Sequence, residues 1–144
     1  MIVASDPTRA DALATALRDA LPDGRVLTGE SISDDYAHDE ALTVTPVRPA
    51  ILVRPEATAE VATVLRLADE HGVPVTARWS GTGLSGAAVP DPNGVLVSFE
   101  HMAAILEIDT ENHTATVQPG VTLETLDAAL APFGLVYPVF PGEY

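Results

Sequence analysis

Three glycines within six residues, Gly81, Gly83 and Gly86, follow directly on the short apolar stretch that ends at Arg78 in PVTARWSGTGLSGAAVP, residues 74–90. Glycine admits positive φ and a close approach of backbone to ligand, so such a loop can turn successive N–H groups toward an anion. An ordinary turn has the same composition, and only the surroundings separate the two readings. A Rossmann loop opens a long helix whose N-terminus receives the pyrophosphate. Here Ala87, Ala88 and Val89 alone separate Gly86 from Pro90, and Pro92, Asn93 and Gly94 follow, so a helix would break within its first turns. A Walker loop requires Gly-Lys-Ser/Thr, and the chain has no lysine. Gly83, Leu84, Ser85, Gly86 and Ala87 miss the hydrolase elbow Gly-x-Ser-x-Gly by one residue, which makes Ser85 a loop hydroxyl rather than a nucleophile. What survives is a glycine loop that meets an anion without a helix behind it.

The periodicity around this loop predicts an α/β fold. A first helix is expected with Asp6 as N-cap, Pro7 in its first turn, Ala10, Leu13, Leu17 and Leu21 on its inner face, and Gly24 as its stop. Residues 29–45 read as a polar, acidic loop. Within it His38, Asp39 and Glu40 read as solvated, since adjacent residues rarely converge on one metal ion, and no metal site is assigned. Ile51 to Val53 reads as a buried strand. Thr58 then caps a helix carrying Val61, Val64, Leu65 and Ala68 inward up to Gly72, and Val73 to Ala77 is the next strand. This order is a βαβ unit with parallel strands, which puts the glycine loop at a strand's carboxyl end, where open α/β sheets place ligands. Val95 to Phe99 is a third strand. Ile105–Ile108 and Thr114–Gln118 pair as a hairpin, and Thr122 starts a helix with Leu123, Leu126, Leu130 and Phe133 inward, stopped by Gly134. His71, His101 and His113 read as surface or capping residues, and Tyr137, Phe140 and Tyr144 as packing residues, with the lining of a bound ring in a longer protein as the alternative. Two segments are expected, 1–45 with the first helix and acidic loop, and 46–144.

From about Ala50 to Tyr144 the chain resembles the FAD-binding domain of the vanillyl-alcohol oxidase and p-cresol methylhydroxylase type, in particular its glycolate oxidase and D-lactate dehydrogenase branch. Four stretches carry the resemblance at the family's spacing: PAILVRPEATAEVATVLRLADEHGVPV, ARWSGTGLSGAAVP, GVLVSF with HMAAILEID, and TATVQPGVTLETLDAAL. It implies the first subdomain of such an FAD-binding domain, with a small, mostly parallel sheet flanked by helices. It also implies that Arg78, Gly81, Thr82, Gly83, Leu84, Ser85 and Gly86 hold the FAD diphosphate. The resemblance further implies that Pro141 and Gly142 join the cofactor site at the approach to a second glycine loop, into which relatives continue beyond the point where this chain stops. Relatives that bind flavin covalently through the first loop carry histidine where Thr82 stands, so non-covalent FAD is implied. One departure is Trp79, at a place where the branch usually has glycine. If that backbone needs positive φ the side chain is strained there; alternatively it points away or stacks on a ring.

Charge narrows the partners. The formal net charge of −14, from 21 acidic residues against seven arginines, opposes nucleic acid and anionic membranes, both of which need a basic face. The absence of cysteine removes disulfides, thiolate nucleophiles and Cys-ligated metals. A segment apolar and long enough for a membrane span is lacking, as is the basic start of a signal peptide, and a cytoplasmic location is expected. Two functional expectations follow. In one, the chain is part of a flavoenzyme oxidising a small 2-hydroxy acid of the glycolate or D-lactate type, with no catalytic residue of its own and inactive as a fragment. In the other, it is a non-catalytic module that docks a second protein, or a nucleotide-binding remnant.

Overall fold

The computed structural model describes residues 7–138, which form two units divided between His101 and Met102. In the first unit, alternation along the strands is apolar on both faces, so the sheet needs a cover on each side. Ile51 and Val53 of β2 (Ile51–Val53), with Val95 and Val97 of β4 (Val95–Ser98), join Leu13, Leu17 and Leu21 from α1 and its end, and Val64, Leu67 and Ala68 from α2, in one buried cluster. Helix α1 spans Pro7–Ala20 and α2 Thr58–His71. Leu52 and Leu96 face the other way and pack with Ile32, Leu27 and Tyr36.

The acidic stretch is the second cover of the sheet through Ile32, and while His38 and Glu40 are exposed as expected, Asp39 is buried, contrary to the solvated reading. The stretch contains two 3₁₀ turns, Gly29–Ser31 and Asp34–Ala37, and buries Ile32, Ala37 and Asp39. Thus residues before 45 share their cores with residues after it.

The sheet order is β1-β2-β4-β3, with β1 (Val26–Thr28) antiparallel to β2, and β2 and β3 (Val75–Arg78) both parallel to β4. The parallel relation expected for the βαβ unit holds, with β4 inserted between its two strands. The mostly parallel sheet and its helices match the expected class. Details differ. Pro7 opens α1, and Asp6 lies outside the described residues. Residue 57, an alanine, is the N-cap of α2, and Glu60 takes the part expected of Thr58 by accepting the Glu56 N–H at 2.9 Å. Leu65 is half exposed while Leu67 is buried, so the inner face of α2 runs through 64, 67 and 68. Gly72 ends the helix at φ +63°, as the left-handed C-cap requires.

The second unit pairs β5 (Ile105–Asp109) with β6 (Thr114–Val117) as the expected hairpin, with an irregularity between Ile105 and Glu107. Its turn is tied by Asp109, which accepts the N–H groups of Glu111 and Asn112 at 3.0 Å each. Helix α3 (Leu123–Leu130) is capped by the Thr122 hydroxyl, which accepts the Thr125 N–H at 3.1 Å, and it buries Leu126 and Leu130. Phe133 is 55% exposed, contrary to expectation, because α3 gives way at Leu130 to a 3₁₀ turn, Ala131–Phe133, that breaks the 3.6-residue period. Tyr137, expected to pack, is 41% exposed. It lines an apolar hollow of about 800 Å³ with Val117, Val121, Leu126, Leu130 and Leu135. Phe140, Pro141, Gly142 and Tyr144 lie outside the described residues.

Candidate cofactor-binding site

Parallel neighbours such as β3 and β4 need a crossover of a dozen or more residues, usually a helix that consumes its own amides. Here residues 79–94 make that crossover with no helix, which leaves backbone donors unused. Among the described residues, the backbone N–H groups from Ser80 to Ala87 donate no hydrogen bond within the protein. Gly81 and Gly86 bend the loop at φ +75° and +77°, while Gly83 does not need positive φ. His113 is the one described non-glycine residue with positive φ, so Trp79 sits in ordinary backbone without the strain that a left-handed position would impose.

Beside the loop lies a cleft of about 250 Å³, whose lining includes Asp39, Arg78, Trp79, Gly81, Thr82 and Gly83. Thr82, Gly83, Leu84 and Ser85 are exposed, and the Ser80 and Thr82 hydroxyls share a hydrogen bond of 3.0 Å. A row of neutral donors at the carboxyl end of parallel strands suits an anion such as a diphosphate.

Arg78 is buried, and its guanidinium is used within the fold. It donates to the carbonyls of His38 and Asp35, the latter at 2.8 Å, and lies 5.8 Å from the centre of the Tyr36 ring. Its partners are thus carbonyl groups rather than any of the chain's many carboxylates, and its charge sits directly beneath Gly81, where a Cβ would overlap it. Tyr36 in turn donates to Glu100 at 2.8 Å, and burial followed by that bond raises its hydroxyl pKa above the usual value.

Sequence reasoning missed the other half of the site, which comes from the acidic stretch. Glu40 N–H donates to the Gly83 carbonyl at 2.9 Å. Asp39, 7% exposed, accepts the Ala41 N–H at 3.0 Å with one oxygen and the Ala88 N–H at 3.5 Å with the other. Val44 packs against Gly86, where an added Cβ would come within 2.6 Å of its Cγ2. The glycine loop is therefore gripped along its length by residues 35–44.

Residues 49–144 match the FAD binding domain family, and the chain belongs to it. It is 57% identical over 118 residues to an FAD-linked oxidoreductase of Mycobacterium tuberculosis, an alignment covering 82% of this chain and 26% of that protein. It is also 42% identical over 119 residues to a D-lactate dehydrogenase of Anaerostipes hadrus, covering 83% of this chain and 25% of that one. Among solved structures, p-cresol methylhydroxylase with substrate bound superimposes with a TM-score of 0.78 at 22% identity, over 91% of this chain and 26% of that one, which shows the shared fold. The chain spans about a quarter of the length of these relatives. The family's cofactor, FAD, carries a diphosphate, an anion of the kind that the free donors of the loop suit. In the described residues no helix is long and apolar enough to cross a membrane.

Proposed function

We propose that this chain supplies the diphosphate-binding part of a flavoenzyme that oxidises a small 2-hydroxy acid of the glycolate or D-lactate type. The observation that carries the reading is the run of unspent amides from Ser80 to Ala87, in a glycine loop at the carboxyl ends of parallel strands, within a chain of the FAD-binding family. Gly81, Thr82, Gly83, Leu84, Ser85 and Gly86 hold the diphosphate through backbone N–H groups. Arg78 adds positive charge from beneath Gly81 while its hydrogen bonds fix the strand end. Thr82 has no ring nitrogen to tether a flavin, so the cofactor is held non-covalently. Pro141 and Gly142, outside the described residues, are assigned to the same cofactor site. When bound, FAD supplies the two-electron acceptor for hydride from the substrate's hydroxyl-bearing carbon. The substrate class rests on the D-lactate dehydrogenase relative.

Titrating the protein at its full natural length with FAD tests this. At a hundredfold excess over Kd, binding should stabilise the fold by about 2.7 kcal/mol. Acid precipitation should release the flavin into the supernatant, and D-lactate or glycolate should bleach its visible absorbance without oxygen. No thermal shift with FAD would refute the assignment. A second reading, a non-catalytic module docking a partner, draws on the exposed apolar residues Leu106, Val117, Phe133 and Val136 of the hairpin unit. Self-association together with absence of FAD binding would favour it.

A further inference from the structure

A loop that offers eight free donors in so acidic a chain has a problem of its own making, because any nearby carboxylate can satisfy the donors in place of a ligand. The nearest buried carboxylate is Asp39, which lines the cleft and stands 3.8 Å from where a Gly83 Cβ would be. Both of its oxygens are already engaged, one by Ala41 N–H inside its own turn and the other by Ala88 N–H just past the run of free amides. The turn held by the first bond presents Glu40 N–H to the Gly83 carbonyl.

These contacts fix direction as well as place. In a trans peptide the C=O and the following N–H point to opposite sides. A Gly83 carbonyl held on Glu40 therefore turns the Leu84 N–H away from the acidic segment. An Ala88 N–H held on Asp39 anchors the far end of the run.

We propose that Asp39 is a positioning residue for the diphosphate, clamping both ends of the 83–88 peptide run so that its donors face the ligand and not the protein's own acids. The inference rests on the functional reading above and extends it to a residue on a different part of the chain, 49 positions from Ala88.

The test uses the protein at its full natural length, with affinities for FAD, ADP and riboflavin measured side by side. Asp39→Asn keeps the shape but retains a single acceptor oxygen, so one of the two clamps is lost. FAD and ADP, which share the diphosphate, should each bind about 10-fold more weakly, the equivalent of one hydrogen bond to a charged group. Riboflavin, which has no diphosphate, should bind unchanged. Asp39→Ala should weaken FAD and ADP by about 100-fold; if that protein does not fold, the Asp39→Asn result decides alone. Equal weakening of all three ligands would mean a general structural role and overturn the inference. Unchanged or tighter binding of FAD by Asp39→Asn would overturn it too, the latter by showing that the carboxylate's charge opposes the diphosphate more than its bonds help. Either result leaves the functional reading standing. A wild-type protein that fails to bind FAD removes that reading and this inference together.

Discussion

Gly81→Ala and Gly83→Ala differ by two positions in the same loop, yet they should behave very differently. At Gly81 the backbone sits at φ +75°, which costs an L-residue about 1–2 kcal/mol. The added methyl would also lie inside the Arg78 guanidinium and expel it from a buried position where it donates to the carbonyls of His38 and Asp35. Hydrogen bonds to a charged group are worth roughly 1.5–3 kcal/mol each, and water recovers part of that when the side chain swings out. Together the two effects give a loss of about 3–5 kcal/mol, a large part of the roughly 5–15 kcal/mol that holds a typical domain folded. At Gly83 a methyl would meet Asp39 Oδ2 at 3.8 Å, an ordinary contact, and no positive φ is required. Its effect on stability should lie between neutral and a gain of about 1 kcal/mol from reduced freedom of the unfolded chain. Urea unfolding followed by circular dichroism measures both. Arg78→Ala provides the control, because in that background Gly81→Ala should cost only the backbone share, giving a coupling of about 2 kcal/mol in the double-mutant cycle. Equal costs at positions 81 and 83, or a Gly81→Ala cost independent of Arg78, would refute the reasoning.

On α2, Leu67→Ala should lose about 2–4 kcal/mol and Leu65→Ala less than about 0.5 kcal/mol, since the first faces the core and the second is 50% exposed; reversed magnitudes in the same unfolding assay would mean that the helix is rotated. Burial first, and then the bond to Glu100, hold the Tyr36 hydroxyl above its ordinary pKa of about 10, so folding favours the protonated form. That contribution is complete below a pH of about 10 and is lost as pH rises through the folded value. A phenolate absorbance titration compared with Tyr36→Phe should show one tyrosine ionising later than the others, and simultaneous ionisation of all would contradict the packing.

Much of the architecture was legible because its signals are local. Ile51–Val53 and Val95–Ser98 are short apolar runs bounded by proline or glycine, and Gly72, Thr122 and Gly134 mark helix ends by conformations and side chains that few other residues supply. Strand β1 escaped notice because Val26 to Thr28 mixes apolar and polar residues and is only partly buried, unlike the equally short but wholly apolar β2. Leu65 and Leu67 both fit a loose helical stripe, and only the partner helix α1 selects between them. In the site, the glycine loop announced itself, but its supports did not. Arg78 reaches His38 across 40 positions and Ala88 reaches Asp39 across 49, and contacts of that span depend on a fold that no local pattern encodes. Asp39 looked as solvated as its exposed neighbours His38 and Glu40 for the same reason. A buried carboxylate paired with backbone N–H groups has the same letters in sequence as an exposed one.

The position of β4 between β2 and β3 has a consequence for how the chain is made. Among the described residues, strand β3 finds its only sheet neighbour in β4, and β2 has no parallel partner until β4 arrives. On a ribosome adding about 5–20 residues per second, the roughly forty residues between them take on the order of 2–8 s to emerge. Throughout that interval Ile51, Leu52 and Val53 present an open apolar edge, the kind that recruits strands from other chains. The glycine crossover must therefore first thread the middle strand home, so substitutions that stiffen it should lower soluble yield during synthesis even where the finished protein tolerates them.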